Sequence, residues 1–197
     1  MTTDQRVVIA TSNAHKFAEI VPLFAESSWQ PILPQDMGIF VPEVAETGST
    51  FAENAILKAK AYQLACSLPV IADDTGLEVL ALNGQPGVHS NRWHPGSYTD
   101  RNEALLERLK TENNRSAQFT TVACLLVHSD SEPLLFRGCV TGQISTISRG
   151  VQGFGYDPLF VPDGYSQTFG ELDPTEKQTV SHRARAFIQV IAALKTL

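Results

Sequence analysis

Two adjacent carboxylates sit where an apolar run breaks off: Val70-Ile71-Ala72-Asp73-Asp74-Thr75-Gly76-Leu77-Glu78. Val70 to Ala72 reads as a short buried strand, and alternation along a strand sends Asp73 and Asp74 to opposite faces. Acids at the tip of an apolar strand are costly unless they hold a cation, accept hydrogen bonds or reach water. Strand tips are also where open α/β sheets place their ligands. Taken alone, the motif reads better as an acidic turn that merely ends the strand.

Three further segments carry residue types that could join it. In Thr11-Ser12-Asn13-Ala14-His15-Lys16 a strand runs into a polar turn and a helix begins. Such a start offers backbone N–H groups and the positive end of the helix dipole to an anion, and Thr11, Asn13 and Lys16 add side-chain donors. The glycines of a P-loop are missing, and a helix cap followed by a surface lysine is the plainer reading of this segment by itself. Glu43 and Glu46 extend the acidic set. Oxygen-only ligands suit Mg²⁺, which binds through one or two carboxylates plus phosphates, and a carboxylate beside the metal can take a proton from attacking water. Each glutamate alone reads as a solvated loop residue.

Gly153-Phe154-Gly155-Tyr156-Asp157-Pro158 places glycines on either side of an aromatic ring. Glycine lets backbone approach a planar ligand, and Phe154 can stack on a base; a packed turn is the alternative. Finally, Ser181 reads as a helix cap, which puts His182 and Arg183 in the first helical turn. Cations are disfavoured there by the helix dipole, which points to a purpose for Arg183, with Lys177 close by in sequence. A surface salt bridge and an ordinary buried histidine are the alternatives.

The elements that must hold these residues follow from periodicity. Arg6 to Thr11 predicts a first strand, followed by a helix with Phe17, Ile20 and Phe24 inward, and Pro31 to Pro34 predicts a second strand. Thr50-Phe51-Ala52-Glu53 has the form of a capping box. The helix it opens carries a stripe of Leu57, Ala61, Leu64, Ala65 and Leu68. Asn83 to Gly87 is a turn cluster, and Thr99 to Leu109 a helix with Leu105, Leu106 and Leu109 inward. Phe119 to His128 and Leu134 to Ile144 predict a hairpin. Gly150 to Gly164 reads as irregular, and Ser181 to Leu194 as a final helix burying Phe187, Ile188, Ile191 and Leu194. Helices alternating with strands, then a hairpin, give an α/β fold on a mixed sheet.

Composition bounds the rest. A chain of 197 residues, 43% hydrophobic, suits one compact domain or one domain of two lobes. A net charge of −6 argues against a nonspecific nucleic-acid binder. Cys66, Cys124 and Cys139 form no CxxC pair and read as buried reduced thiols. The N-terminus shows no signal-peptide pattern and no apolar run reaches the ~20 residues of a membrane span, so a cytoplasmic location without membrane contact is expected.

Together the segments resemble the inosine triphosphate pyrophosphatase family, hydrolases of non-standard purine nucleotides. The matching stretches are TSNAHK (11–16), ETGSTFAENAILKAKA (46–61), ADDTGLEVLALNGQPGVHSNR (72–92), FGYDPLF (154–160) and EKQTVSHRARA (176–186). The resemblance implies one domain over 1–197: a mixed, elongated central sheet with flanking helices and two lobes around a cleft. It implies a homodimer, Mg²⁺ dependence, and hydrolysis of ITP, dITP and XTP to the monophosphate and pyrophosphate. It puts Thr11, Ser12, Asn13, Ala14, His15 and Lys16 on the phosphates together with Lys58. It makes Asp74 proton acceptor and metal ligand, and Thr75 a substrate contact. It puts Phe154, Gly155, Tyr156, Asp157, Lys177, His182 and Arg183 around the nucleoside. Many relatives carry paired acids before the Thr-Gly; here those positions are Ala45 and Glu46, so the metal shell is expected to use Glu46 or Glu43, or to lean more on water. The alternatives are a nucleotide-binding sensor without turnover, which the Ala45 departure would fit, and a pyrophosphatase for other modified nucleotides.

Overall fold

The computed structural model describes residues 5–40 and 44–196. Glu43 lies outside the described residues. In chain order the elements are β1 (Arg6–Ile9), α1 (Ala14–Ile20), β2 (Gln30–Ile32), α2 (Phe51–Gln63), β3 (Val70–Val79), α3 (Tyr98–Arg108), β4 (Ser116–Leu126), β5 (Leu134–Ile144), β6 (Phe160–Pro162), α4 (Pro174–Val180) and α5 (His182–Leu194). One six-stranded sheet has the order β2-β1-β3-β4-β5-β6. β1 runs parallel to both β2 and β3, while β5 and β6 are antiparallel, so the sheet is mixed as the sequence predicts. No helix among the described residues is long and apolar enough to cross a membrane.

The chain divides into two compact units. The first comprises Met1–Asp74, Thr121–Gly138 and Arg183–Leu197. Here the period-two alternation of the strands sorts side chains between two helical layers. Val7, Ile9, Ile71, Ala123 and Leu125 pack with Ile20, Phe24, Phe187, Val190 and Leu194 from the α1 and α5 side. Val8, Ala10, Val70, Ala72, Val122 and Leu126 pack with Ala55 and Ala59 of α2. Both faces are covered, which is why these strands read as nearly unbroken apolar runs.

Two predicted stripes differ from the buried ones. On α2, Leu57 and Leu64 are 38% and 85% exposed, and the inward set is Asn54, Ala55, Ala59 and Gln63. The strands beneath already present Val and Leu side chains, so the helix approaches through its alanines; Asn54 donates to Asp74, and Gln63 Nε2 to the Cys66 and Leu68 carbonyls. On α5, Ile188 is exposed, while Ala184, Ala186, Phe187, Val190, Ile191 and Leu194 are buried. Thr50 caps α2 through the predicted box: Glu53 N–H donates to its hydroxyl at 3.1 Å, and Glu53 Oε2 accepts the Thr50 N–H at 3.2 Å.

The second unit comprises Thr75–Thr120 and Cys139–His182. Its core joins Leu77 and Val79 to Leu105 and Leu109 of α3 and to Phe119, Val140, Ile144, Leu159, Phe160 and Phe169. Leu106 is only partly buried. The stretch read as irregular contains β6, and Lys177 lies on the unpredicted helix α4. Strand β3 continues well past Ala72, so Asp73 and Asp74 lie within a strand and not at its tip. The second strand is Gln30–Ile32; a short 3₁₀ turn takes over at Pro34. All three cysteines are free.

Gly142 of β5 has no room for a side chain, because a Cβ there would lie 2.2 Å from the Val161 carbonyl oxygen and 2.9 Å from the Phe160 ring. Gly142→Ala is therefore expected to destabilise the fold by ~1–3 kcal/mol, the usual cost of overpacking, as a shift in the urea midpoint. An unchanged midpoint would contradict this close approach of β5 and β6.

Candidate functional site

In the first unit the two carboxylates part company, as alternation requires. Asp73 shares the face of Ile71 and meets α1: Lys16 Nζ donates to its Oδ2 at 2.7 Å. Asp74 shares the face of Ala72 and meets α2: Asn54 Nδ2 donates to its Oδ2 at 3.0 Å, and Lys58 Nζ stands 3.5 Å from its Oδ1. Asn54 and Lys58 are one helical step apart at i and i+4, hence on one side of α2. Lys58 also donates to Glu46 Oε1 at 2.7 Å.

Burial alone raises a carboxylate's pKa, and the two neighbours resolve that pressure oppositely. For Asp73, burial is outweighed by the cations Lys16, Arg183 and Lys58, which hold it well below the usual carboxylate range. For Asp74, burial prevails over Lys58 and Asn54, and its pKa is raised, with Glu46 adding to the rise. Asp73 is thus a fixed anion, and Asp74 a carboxylate with heightened proton affinity. Lys16 is lowered by burial against the pull of Asp73. Lys58 feels the same burial, but Asp73, Asp74 and Glu46 raise it overall.

The Thr11 to Lys16 turn is capped from within. Asn13 Oδ1 accepts the N–H groups of His15 and Lys16 at 2.9 and 3.3 Å, and Thr11 Oγ1 accepts the Asn13 N–H at 3.1 Å. Thr11 is buried, Asn13 partly buried, and Ser12, Ala14 and His15 exposed. The cap expected from sequence is present, but Lys16 is no surface lysine: its side chain is only 16% exposed, against Asp73.

Arg183, in the first turn of α5, is 2% exposed. Its Nη1 donates to Glu19 Oε2 across from α1, and its charge acts on both Asp73 and Lys16. The carboxylates of Glu19 and Asp73 compensate the unfavourable end of the helix dipole.

The second unit holds the remaining predicted residues. Asp157 Oδ2 accepts both the Phe154 N–H and Lys177 Nζ at 2.7 Å. Lys177 is buried, and its ammonium lies 5.5 Å from the Phe154 ring centre and 5.4 Å from that of Phe169, within cation–π range. Gly153 adopts φ +72°, and a Cβ there would come 2.1 Å from Asp157 Oδ2, so this turn needs glycine. Gly155 is pinned by Asn102, whose Nδ2 donates to its carbonyl at 3.1 Å. Tyr156 is buried and donates to the Ser90 carbonyl at 3.1 Å. His182 is buried and stacks on Phe119, with centroids 4.6 Å apart and planes 11° apart. Thr75 is partly buried on β3.

Among the described residues no group of three or more His, Cys, Asp or Glu side chains is placed to hold a metal. The donors that do converge are Asp74 and Glu46, both reaching the Lys58 ammonium, so this point already tolerates positive charge. Two carboxylates with water and phosphate oxygens suit Mg²⁺, which rarely takes an all-protein cage. Sequence reasoning missed Asn54, Glu19 and Asn102. The first two had a signal: Asn54 precedes Lys58 by four residues and Glu19 follows Lys16 by three, spacings that place each pair on one helix face.

A sequence model of the Ham1 family matches residues 7–193. The chain is similar to the dITP/XTP pyrophosphatase of Deinococcus radiodurans, 46% identical over 191 residues that cover 96% of this chain and 92% of that one. Similarity extends to the dITP/XTP pyrophosphatase of Aquifex aeolicus, 40% identical over 201 residues with 96% of each chain covered. Among solved structures, a HAM1 protein from Coxiella burnetii superposes with a TM-score of 0.88 at 38% identity, covering 98% of this chain and 99% of that one.

The Asp73–Lys16 pair yields a stability test. Asp73→Asn strands a buried ammonium, and breaking such a pair typically costs ~3–5 kcal/mol. Because the folded-state pKa of Asp73 is depressed, its contribution is complete above the unfolded carboxylate value of ~3.9 and is lost as pH falls through the lower, folded value. Denaturant melts should show wild type ahead of Asp73→Asn at neutral pH, with the gap closing only below about pH 4. A gap that is absent at neutral pH would contradict the pairing.

Proposed function

The chain belongs to the Ham1 family, and from that premise we propose how its residues carry out the reaction: hydrolysis of non-standard purine nucleoside triphosphates to the monophosphate and pyrophosphate. The enzyme is a nucleoside triphosphate pyrophosphatase, as its curated relatives are. The observation that carries the mechanism is the split fate of the carboxylate pair. Asp74, raised by burial and flanked by Asn54 and Lys58, serves as general base toward the attacking water. Asp73, fully ionised among cations, serves as the anchor that holds Lys16 in place. Lys16 and Lys58, with Thr11 and Asn13, supply charge and donors for the triphosphate. Positioning and charge neutralisation are what phosphoryl transfer chiefly needs. The divalent cation, proposed as Mg²⁺, would be held by Asp74 and Glu46 and would offset phosphate charge.

In the second unit Phe154 is proposed to stack on the base, and Lys177 to read it. Hypoxanthine and xanthine carry an acceptor oxygen at C6 where adenine carries an amine, and a lysine ammonium only donates. Asp157 supports this reading by fixing both the Phe154 backbone and the Lys177 ammonium. His182 and Arg183 are assigned to the same nucleoside end on the family resemblance. Arg183 has Glu19 as a partner, which supports a second role in the charge balance around Asp73. The family match over 7–193 includes both units, which supports one functional domain. A homodimer is proposed on the resemblance alone, and a cytoplasmic location as fitting an enzyme of the nucleotide pool.

Two experiments follow. Incubated with Mg²⁺ and a panel of triphosphates, the protein should release pyrophosphate from ITP, dITP and XTP far faster than from ATP. In ¹⁸O-water the label should enter the monophosphate; label in pyrophosphate would mean attack at the β-phosphorus and would sink the proposed chemistry. The second test replaces Lys177 by Gln. An unmet buried partner costs ~1–3 kcal/mol, more when charged, so kcat/KM for ITP should drop tenfold or more, on the order expected from that cost, and ATP much less. Equal losses on both substrates would make Lys177 a structural residue.

A further inference from the structure

We infer that Asn54 is a positioning residue for this reaction, the joint that fixes the Asp74 carboxylate and the loop carrying Glu46 with respect to each other. The inference rests on the reading of Asp74 as the base. Asn54 is completely buried in α2. Asparagine is a poor helix former, and a buried amide is tolerated only when its polar atoms are bonded. Both ends of this one are. Its Nδ2 donates to Asp74 Oδ2 at 3.0 Å, and its Oδ1 accepts the Gly48 N–H at 2.8 Å.

The second bond settles the orientation of the first. A backbone N–H can only donate, so the amide oxygen must face Gly48 and the NH₂ must face the carboxylate; a flipped amide would set donor against donor and oxygen against carboxylate. The carboxylate therefore cannot spin: Oδ2 is held by Asn54, and Oδ1 is turned toward Lys58 Nζ at 3.5 Å. On the loop side, Gly48 stands two residues after Glu46, whose Oε1 accepts from the same Lys58 at 2.7 Å. Asp74, Asn54, the Glu46–Gly48 loop and Lys58 thus close a ring within the first unit.

The fit at Gly48 is tight. A Cβ there would lie 2.6 Å from Glu53 Cβ and 2.7 Å from Asn54 Oδ1. Nor is Asn54 required to start its helix, because Thr50 and Glu53 already supply the capping box. What the amide adds is the link between the carboxylate and the loop. Partners of this kind commonly influence activity by ~10–100-fold.

The test uses two variants. Asn54→Leu keeps the branched shape and removes both bonds; Gly48→Ala crowds the loop-side bond and leaves the Asp74 contact intact. Each is followed by kcat and KM for ITP, by melting temperature, and by hydrogen exchange over residues 46–50. Asn54→Leu is expected to fold, to lose ~10–100-fold in kcat with KM little changed, and to exchange its Gly48 amide faster. Gly48→Ala should move kcat and exchange in the same direction by less. A purely structural role would lower the melting temperature and leave kcat per folded molecule untouched; that result overturns the inference. If Asn54→Leu does not fold, an unchanged kcat in Gly48→Ala overturns it alone. A wild-type chain releasing no pyrophosphate defeats the activity reading and this inference with it, whereas an active wild type with an unaffected Asn54→Leu defeats only the inference.

Discussion

A carboxylate buried in the middle of a sheet keeps its charge only if cations surround it, and Asp73 is kept so by Lys16, Arg183 and Lys58. Much of the first unit is arranged around that requirement. Lys16 has to come from the start of α1, which fixes the turn after β1; Arg183 has to come from the start of α5, against the helix dipole, and Glu19 balances it. Once Asp73 is committed to the α1 and α5 side, the two-residue period of β3 leaves Asp74 no choice but the α2 side. There it meets one amide and one ammonium, too little to overcome burial, and its proton affinity rises. Adjacent identical residues thereby acquire different chemistry from strand geometry alone, in the way that paired titratable groups with divergent environments divide acid–base roles.

The second unit solves a different problem with the same economy. Its aromatic core of Phe119, Phe160, Phe169 and His182 is closely packed, with ring centres 4.6 to 6.4 Å apart. Beside that core a single carboxylate, Asp157, organises the glycine turn and neutralises Lys177. A lysine so held has little freedom to adapt to a partner, which suits the base-reading role proposed for it.

Much of this was legible in the sequence. Opposite faces for Asp73 and Asp74, the capping box at Thr50, the cap at the head of α1 and the first-turn placement of Arg183 all rest on local rules that the fold respects. Two of the departures depend on tertiary contacts. Ending the strand at Ala72 treated two acids as a break, whereas Lys16 and Asn54 make them tolerable inside β3. Periodicity predicts an α2 stripe of Leu57, Ala61, Leu64, Ala65 and Leu68, yet the buried face uses Ala55 and Ala59 to come close and Asn54 to reach Asp74, which hydrophobicity cannot reveal. The helix of Lys177, by contrast, has a local signal in Asp173 and Pro174, a capping residue followed by a first-turn proline.

The central claim is that Asp74, not its neighbour, moves the proton. It is tested most directly by kcat/KM for ITP in Asp74→Asn, a variant that keeps the shape and leaves Lys58 its partner Glu46. Loss of general-base action typically costs ~10²–10⁴-fold, and a fall of that size, with the melting temperature close to wild type, is the predicted result. An Asp74→Asn enzyme within a few-fold of wild type would contradict the account.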